Sequence, residues 1–490
     1  MTTAPASAPD EVREPRNGLD RFFEISKRGS TIGTEVRGGL VTFVTMAYIV
    51  ILNPIILSGK PDVDGTILDF GAVGAATALT AGVMTIVFGV ITRLPFAFAA
   101  GLGINAFVAF SVVGQVTWAE AMALVVINGV IIVLLAATGL RKAIFDAVPF
   151  QLKIAITVGI GLFIAFIGFV NSGFVTATGA SSPPVGLGVN GSVATVPTLL
   201  FVVTLLITGI LVALRVKGGM LIGLVSGTVL AVIVEAIWHI GARGFDEQGN
   251  VTNPGGWGLT VPALQGSPVS VPDLSLVGQV DFSFDLAKVS GVALVMIVFT
   301  LLFTNFFDAM GTMTGLAKEA DLADEKGDFP RIKSALVVEG VGAIAGGASS
   351  SSSSTVFFES GAGIGEGART GLANVVTGLV FLLAMFLTPL TSIVPTEIAA
   401  AALIIVGALM MAQIRHIDFS DFRVLLPVFL TVTVMPLTYS IANGIGAGFV
   451  SWVIIHAFSC RAKQISPLLW VVGAGFLIFF ARGPIEMLFS

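Results

Sequence analysis

Two carboxylates lie within long apolar stretches of this sequence, where charged residues are rare. Asp308 follows two phenylalanines in the segment FFDAMGT, and Glu359 follows two more in TVFFES. An ionised side chain inside a bilayer costs at least about 2.5 kcal/mol on insertion scales, so both are candidate functional groups. A carboxylate removed from water can load and release a proton as solvent access alternates. The alternative is a structural carboxylate held by backbone N–H groups.

The amide of Asn105 complements Glu359 chemically. A carboxylate and an amide together can pair with a ring edge that presents N–H donors beside a carbonyl acceptor, as a purine base does. An amide within a span also joins helices, so Asn105 alone has two interpretations. Phenylalanines crowd the same segments and could cover the ring faces: Phe96, Phe98, Phe107, Phe306, Phe307, Phe357 and Phe358. We predict substrate contacts at Asn105, Asp308, Glu359, Phe107, Phe358 and Ser360, and proton coupling at Asp308 and Glu359.

The elements that carry these residues must be membrane helices. Of 490 residues, 55% are hydrophobic and 11% are charged, and the mean hydropathy is +0.97. No soluble core could bury so much apolar surface, and the long continuous apolar runs differ from the alternating strands of a membrane barrel. Because helices satisfy their own backbone groups in lipid, the sequence predicts an all-α protein of the cytoplasmic (inner) membrane.

Fourteen apolar spans can be drawn, in two sets of seven. They are 38–58, 71–92, 95–114, 118–139, 150–170, 197–214 and 219–240, then 286–307, 332–348, 355–364, 371–391, 397–411, 422–436 and 443–458. The third and tenth are broken by glycine-rich or polar residues, and we expect short strand-like stretches there. Paired breaks in two halves indicate a 7+7 inverted-repeat transporter with its site near the bilayer midplane. The six serines at 349–354 are expected to satisfy unwound backbone.

The basic residues predict the orientation. If the N-terminus is cytoplasmic, 21 Lys and Arg residues fall on the inner side and only Lys60, Arg243 and Lys288 on the outer side. This asymmetry follows the positive-inside rule and predicts that both termini are cytoplasmic. Residues 1–37 form a cytoplasmic tail, 242–285 an extracytoplasmic loop that is irregular or strand-like at 261–271, and 461–490 a C-terminal segment. Its apolar stretch 468–480 is too short to count as a span.

Several motif classes are absent from the sequence. It contains no GxxxxGK[ST] phosphate loop, so ATP-driven transport by this chain is not expected. The single cysteine, Cys460, allows no internal disulfide and no thiolate metal cluster. There is no nucleophile motif and no large soluble domain. We therefore predict no enzyme activity, no bound cofactor or metal, and a lipid bilayer rather than nucleic acid as the partner.

Motifs along nearly the whole chain resemble those of one transporter family. They are GTEVRGGLVTFVTMAYIV at 33–50 with Asn53 and Pro54, GLGINA at 101–106, FFDAMGT at 306–312, Glu359-Ser360, GARTG at 367–371, AALIIVGALMM at 401–411 and MPLTYSIANG at 435–444. In this order they are similar to the AzgA-like adenine/guanine/hypoxanthine permeases, a branch of the nucleobase:cation symporter-2 (nucleobase-ascorbate transporter-like) family. The resemblance implies import of a purine nucleobase by proton symport, with sodium coupling as the alternative.

The resemblance also implies a core domain (38–145 and 286–392) that binds the base and a gate domain (146–241 and 397–460). By motif position, Asn105, Asp308 and Glu359 match residues that the family uses for binding and proton coupling. Where relatives often have a second acidic residue this chain has Asn305, and where they often have hydroxyls it has Val356 and Phe357. These departures could change the base preference or the coupling. Whether a homodimer forms through the gate domain stays open.

Two other functions remain as alternatives. A transporter of the same architecture could carry an anion such as sulfate, bicarbonate or a dicarboxylate, although a carboxylate in the site repels anions unless it is protonated. Broken helices can also line a channel, or serve a membrane sensor that binds without transport. A channel would conduct without saturation and without a proton gradient.

Overall fold

The computed structural model describes residues 17–140, 147–179, 182–188, 191–193, 195–244, 252–263, 267–285, 289, 291–324 and 329–489. Within these ranges the side chains at 292, 307, 460, 464 and 482–489 are not described. Several predictions therefore lie outside the described residues: the first 16 residues of the cytoplasmic tail, the start of the eighth span at 286–288, the inner-side Arg141, Lys142 and Lys326, and the side chains of Phe307 and Cys460.

The first half of the described chain carries nine helices and three short strands. The helices are α1 (Gly18–Phe23), α2 (Ile32–Met46), α3 (Ile49–Leu57), α4 (Phe70–Thr92), α5 (Leu102–Phe107), α6 (Trp118–Thr138), α7 (Phe150–Asn171), α8 (Val196–Ala213) and α9 (Gly219–Trp238). The strands are β1 (Phe98–Ala100), β2 (Val175–Ala177) and β3 (Val185–Leu187). A π-helical turn, Val108–Val112, continues α5.

The second half of the described chain carries eight helices and one strand. The helices are α10 (Gly291–Glu319), α11 (Ile332–Ala348), α12 (Ser360–Gly365), α13 (Gly371–Ala384), α14 (Thr396–Met411), α15 (Phe422–Leu437), α16 (Ile441–His456) and α17 (Pro467–Phe489), and the strand is β4 (Ser354–Val356). A 3-10 helix, Met385–Ile393, extends α13.

Short polar signals set the helix ends between apolar runs. Asp69 caps α4 by accepting a hydrogen bond from the backbone N–H of Ala72, and Arg93 ends that helix in the left-handed conformation. Thr117 and Glu120 form a reciprocal capping box at the start of α6. Each signal satisfies backbone groups that the helix itself leaves unpaired. Most predicted span boundaries therefore lie within one or two residues of the helix ends in the structure.

In the described part of the chain, ten helices are long and apolar enough to cross a membrane. The prediction of a polytopic helical membrane protein is therefore confirmed. The predicted single span 38–58 corresponds to one apolar span, Ile32–Leu57, which two consecutive helices form. Helix α2 begins at Ile32, and Ala47 and Tyr48 separate it from α3. Apolar composition cannot reveal this break, since residues on both sides of it are equally hydrophobic.

One prediction in the second half needs correction. The predicted eighth span, 286–307, ends just before Asp308, whereas α10 continues to Glu319, eleven residues beyond Asp308. Small and charged residues at the C-terminal end of α10 lower the local hydropathy, so hydropathy alone ends the span too early. The stretch 468–480 lies in helix α17, whose apolar part, Pro467–Ala481, is shorter than the ten long spans, as expected.

The third and tenth segments are broken, as predicted. Strands β1 and β4 pair antiparallel, with Phe98 opposite Val356 and Ala100 opposite Ser354. Each strand is followed by a six-residue helix, α5 or α12. All six strand residues are buried, so this two-stranded sheet lies inside the helix assembly. Pairing of the two strands satisfies backbone groups that neither short helix can reach.

The helices pack in two groups. The first contains α2 to α6 and α10 to α13, with extensive pairings of α6 with α11 and of α4 with α13. The second contains α7 to α9 and α14 to α16, with α7 packed on α14 and α15. Glycines allow close approach in both groups. A Cβ on Gly89 of α4 would lie 2.6 Å from the carbonyl oxygen of Gly371 in α13, and a Cβ on Gly161 of α7 would lie 2.7 Å from that of Gly407 in α14.

The loop after α9 is anchored by two carboxylates. The indole N–H of buried Trp257 donates to Glu235 at the end of α9 over 2.7 Å. The backbone N–H of Gly258 donates to Glu397 at the start of α14 over 2.8 Å. Residues 261–263 and 267–271 of this loop have irregular backbone, which is one of the two predicted forms. The carboxylates thus fix the loop across the ends of two helices of the second group.

Candidate functional site

The strand pair is held from its sides by hydroxyl groups. Thr85 of α4 accepts a hydrogen bond from the backbone N–H of Phe98 over 2.9 Å and donates to its carbonyl oxygen over 3.1 Å. Ser360 accepts from the N–H of Ala97 over 2.9 Å and donates to the carbonyl of Phe357 over 2.7 Å. The backbone of both broken segments is therefore fixed where the helices stop.

Glu359 immediately precedes α12 and forms a hydrogen bond with a tyrosine that lies between α2 and α3. The phenol of Tyr48, between α2 and α3, donates to Oε1 of Glu359 over 2.5 Å. The Tyr48 side chain is fully buried. Thr45 of α2 also donates to the Glu359 carbonyl oxygen over 3.4 Å. The position of Glu359 is thus fixed by contacts from Thr45 and Tyr48 in the first apolar span.

Asn105 lies in α5 at the end of a chain of buried amide and hydroxyl groups. Its Nδ2 donates to Oδ1 of Asn53 over 2.5 Å, and Asn53 donates to the hydroxyl of Thr77 over 2.8 Å. Asn53 also donates to the carbonyl oxygen of Ser351 over 3.1 Å. Within the described residues, Oδ1 of Asn105 is buried without a hydrogen-bond partner. An acceptor left in this state is costly unless a ligand or water completes it.

Asn305 and Asp308 lie one turn apart on α10. The amide of Asn305 donates to the hydroxyl of Ser353 over 3.0 Å, and its Oδ1 has no partner in the described part of the chain. Asp308 is close enough to Glu339 and Glu359 for their charges to repel. Helix α10 therefore brings an amide and a carboxylate beside β4 and α12.

The other predicted contacts have different surroundings. Phe107 is buried and lines a cavity on the far side of α5, whereas the Phe358 ring is 58% exposed. The hydroxyl of Ser360 is committed to the backbone of the broken segments. Asp308 and Glu359 lie near each other beside β4 and α12, whereas Asn105 lies in α5, beyond the end of β1, with Asn53 as its partner.

The serine run fulfils its predicted structural role. Ser350 and Ser352 have left-handed backbone conformations, with φ of 58° and 63°. Ser349 donates to the carbonyl oxygen of Gly346 over 3.1 Å, and Ser350 donates to that of Leu276 over 3.0 Å. Ser349 thus satisfies a carbonyl group at the end of α11, and Ser350 satisfies one in the loop before α10, where the chain turns into β4.

Sequence reasoning missed two residues of this arrangement, Tyr48 and Asn53. Both lie in the first motif that carries the family resemblance, but the sequence analysis gives neither a role. The available signal was polarity: each places a hydrogen-bonding group within an otherwise apolar stretch. Buried polar groups need partners, so both residues could have been treated as parts of a network.

The geometry and the sequence can now be compared with known proteins. Residues 33–447 match the permease family (Xan_ur_permease). The chain belongs to this family. A permease carries solutes across a membrane, so the predictions of a membrane transporter rather than an enzyme, and of a purine permease-like family, are confirmed.

Named relatives match this permease from end to end. Guanine/hypoxanthine permease PbuG of Bacillus subtilis (strain 168) is 38% identical over 468 residues, which cover 94% of this chain and 99% of the relative. Adenine permease AdeP of Escherichia coli (strain K12) is 34% identical over 462 residues, which cover 94% and 95% of the two chains.

Solved structures share the fold at low sequence identity. The transmembrane domain of the cyanobacterial bicarbonate transporter BicA superposes with a TM-score of 0.57 at 16% identity, covering 85% of this chain and 97% of that one. The structure of SLC26A9 gives a TM-score of 0.57 at 12% identity, covering 87% and 66% of the two chains. At such identities the likeness defines the fold alone.

Proposed function

We propose that this permease imports purine nucleobases (hypoxanthine, guanine or adenine) across the cytoplasmic membrane by proton symport. The observation that carries the proposal is the pairing of two broken segments through their strands, with Asn105 in the short helix after one strand and Glu359 just before the short helix after the other. Relatives whose names specify guanine/hypoxanthine and adenine support the substrate class.

The site offers groups that complement a purine edge. Glu359 accepts from a ring or exocyclic N–H, and its fixed orientation by Tyr48 reduces the entropy lost on binding. Asn105 and Asn305 each have an amide oxygen available as a second acceptor. Hydrogen-bonding sites of this kind discriminate strongly, because a molecule without the matching N–H group would leave buried acceptors unpaired.

Coupling is assigned to Asp308 and Glu359. The two carboxylates interact electrostatically, so a proton held by one makes the pair compatible with a buried, neutral base. Protonation then favours base binding, and release of both on the inner side resets the site. Sodium coupling is the alternative, since Asn305 supplies an oxygen rather than a second acidic group in this position.

We propose that the first helix group belongs to the core domain (38–145 and 286–392) and the second to the gate domain (146–241 and 397–460). The proposed fourteen segments are the ten long apolar helices, the two broken segments (third and tenth), and the shorter helices α11 and α15. We propose that the core carries the base past the gate, so that access alternates between the two sides.

The proposed topology starts from a cytoplasmic N-terminus, as the basic residues predict. Helix α17 changes the side of the membrane on which we place the C-terminus. Gly473 lies against Val453, and Phe476 and Phe480 lie against Gly446, so α17 runs antiparallel to α16 along its length. We therefore propose that α17 makes a further crossing and that the C-terminus lies outside, in place of the cytoplasmic C-terminus expected from the sequence.

An anion is the alternative substrate. Of the solved structures that share the fold, BicA is named a bicarbonate transporter, and murine Slc26a9 is named an anion transporter. The pair of carboxylates argues against it. A buried anion beside Asp308 and Glu359 would face two repulsive charges unless both were protonated.

Uptake assays test the proposal. Cells lacking their own permeases would be given radiolabelled hypoxanthine, guanine, adenine, xanthine and uracil, with and without an uncoupler. We expect saturable purine uptake that Glu359→Gln and the uncoupler both abolish. Absence of uptake of every base, with the protein shown in the membrane, would overturn the substrate class and favour an anion. Purine uptake that persists with the uncoupler but requires sodium would replace the proton as coupling ion.

A further inference from the structure

A cavity of about 290 Å³ lies at the end of the molecule that carries the turns 113–117 and 438–440. Its walls come from the second half of the third segment, the first turns of α10, the turn into α16, and Phe479 of α17. We call it the outer cavity. Phe107 lines it, two residues after Asn105 in the same short helix. The outer cavity therefore adjoins the candidate site without including Glu359 or Asp308.

Aromatic rings form one side of the outer cavity. The ring of Tyr439 stands edge-on to Phe110 with their centroids 5.6 Å apart, and edge-on to Phe163 at 5.5 Å. Tyr439 has a φ of 53°, a left-handed conformation that is unfavourable for a residue with a side chain. Such a conformation persists where the surroundings fix it, and it often accompanies a functional position. Here it directs an aromatic ring into a space between the two helix groups.

Polar groups lie beside these rings. The side chain of Gln115 donates to the carbonyl oxygen of Ser111 over 2.8 Å, which leaves its own amide oxygen as an acceptor. The hydroxyl of Ser111 has no hydrogen-bond partner among the described residues. Asn443 adds a second amide to the lining. Burial raises the pKa of Tyr439 to about 12, so its phenol remains a hydrogen-bond donor at physiological pH.

This combination suits a flat, neutral heterocycle. Aromatic rings stack on either face of a base, and amides donate to and accept from its edge. In contrast to the candidate site, the described residues that line the outer cavity include no carboxylate. Binding there needs no proton, so a base could be held before coupling begins. The cavity draws its lining from both helix groups, which means that their relative movement would reshape it.

We propose that the outer cavity is a second, weaker binding site for the transported nucleobase, occupied before the base reaches Glu359. This inference rests on the proposed function and adds a stage to it. The first site captures the base by stacking and amide contacts, and the second binds it with the coupled proton.

Equilibrium binding of radiolabelled hypoxanthine to the purified full-length protein tests this directly. We expect Glu359→Gln to lose tight binding and to keep a weaker, saturable component. Adding Asn443→Ala to that variant should remove the weaker component. A single binding component in the native protein, with none left in Glu359→Gln, would overturn the second site while leaving the proposed function intact.

Uptake kinetics give an independent test that does not require the double variant. Tyr439→Leu and Gln115→Ala should each raise KM by roughly fivefold or more with little change in kcat, because base stacking and amide contacts precede the coupled step. Gln115 is exposed, so its replacement is compatible with folding. Phe169→Leu is the matched control, since its ring packs on Phe174 and Phe201 away from the cavity. Unchanged KM in both test variants would overturn the proposal, whereas absence of uptake by the native protein would overturn the proposed function instead.

Discussion

The phenol of Tyr48 donates a hydrogen bond to Glu359 across 2.5 Å and joins the break between α2 and α3 to the start of α12. The chain has only two tyrosines, and the other, Tyr439, lines the outer cavity. Most aromatic residues are phenylalanines that fill apolar space, so a tyrosine is retained where a hydroxyl has a partner or faces a polar cavity. The Tyr48 contact also fixes the direction of the Glu359 carboxylate.

Replacing Tyr48 with phenylalanine should weaken transport without unfolding the protein. The ring still fills its buried space, but Glu359 loses a hydrogen bond of the kind that is worth about 1.5–3 kcal/mol to a charged group. We expect KM for hypoxanthine to rise about tenfold. Thr138→Val, which removes an exposed hydroxyl from α6, should leave KM unchanged. A native KM in Tyr48→Phe would mean that Glu359 is oriented without the phenol.

Asn305→Asp should alter ion dependence. The new carboxylate cannot donate to Ser353 as the Asn305 amide does, but it can accept from that hydroxyl instead, and it adds a negative charge one helical turn from Asp308. Two carboxylates so close share protons, and uptake should become more steeply dependent on external pH. The pH dependence is measured as initial uptake rates in sodium and in choline buffers. The buffers cover roughly pH 5.5 to pH 8, the range in which coupled carboxylates titrate. Identical pH profiles for both proteins would exclude a role for Asn305 in coupling.

An ion pair connects the two helix groups at the end that carries the turn between α8 and α9. Glu366, after α12, pairs with Lys217 of that turn and also with Arg37 of α2 over 3.0 Å. The backbone approaches closely here as well, because a Cβ on Gly218 would lie 2.5 Å from Val44. Exposed pairs contribute only about 0–1 kcal/mol to stability, so the contact should affect conformational equilibrium more than folding.

Reversing one charge of the Lys217–Glu366 pair should slow uptake, and reversing both should restore it. We expect Lys217→Glu and Glu366→Lys each to reduce the uptake rate by about two- to fivefold, consistent with about 1 kcal/mol, and the double exchange to recover most of it. Arg215→Glu makes the same charge change two residues from Lys217 and should have a smaller effect. Additive losses in the double variant would show that the pair does not act as a unit.

Gly363→Ala should destabilise the protein strongly. Its Cβ would lie 2.5 Å from the carbonyl oxygen of Gly38 in α2, so α12 would have to move. Overpacking of a rigid interior costs typically about 1–3 kcal/mol. Gly365→Ala, two residues later in the same helix, meets no atom within 4 Å and should be tolerated. Thermal unfolding of detergent-solubilised protein, followed by fluorescence-detected size exclusion, compares the two variants. Equal melting temperatures would contradict close packing of α12 on α2.

A reporter fused to the C-terminus tests the course of α17. We expect a periplasmically active alkaline phosphatase to be active after residue 490 and inactive when fused at residue 464, before α17. Green fluorescent protein should show the opposite pattern, since it fluoresces when folded in the cytoplasm. Phosphatase activity at neither position would restore the expected cytoplasmic C-terminus and leave α17 as a helix that does not cross.

Most span positions were predictable because each depends on local composition. Span 332–348 coincides with α11, and spans 118–139 and 150–170 differ from α6 and α7 by a single residue at one end. The strand pair was anticipated only as strand-like stretches, because the partner of β1 lies more than 250 residues away and pairing depends on register. The length of α10 was missed, since this helix continues through residues that lower local hydropathy.

The sequence by itself determined a helical membrane permease with two broken segments and polar residues at those breaks, because apolar length, glycine content and buried charge act locally and can be read in order. The tertiary structure decided which polar residues meet. Tyr48 joins Glu359, Asn53 joins Asn105, and Asn305 joins Ser353, in each case across 48 or more residues. Hydrogen bonds require atoms within about 3 Å, and only the packed fold brings distant segments that close.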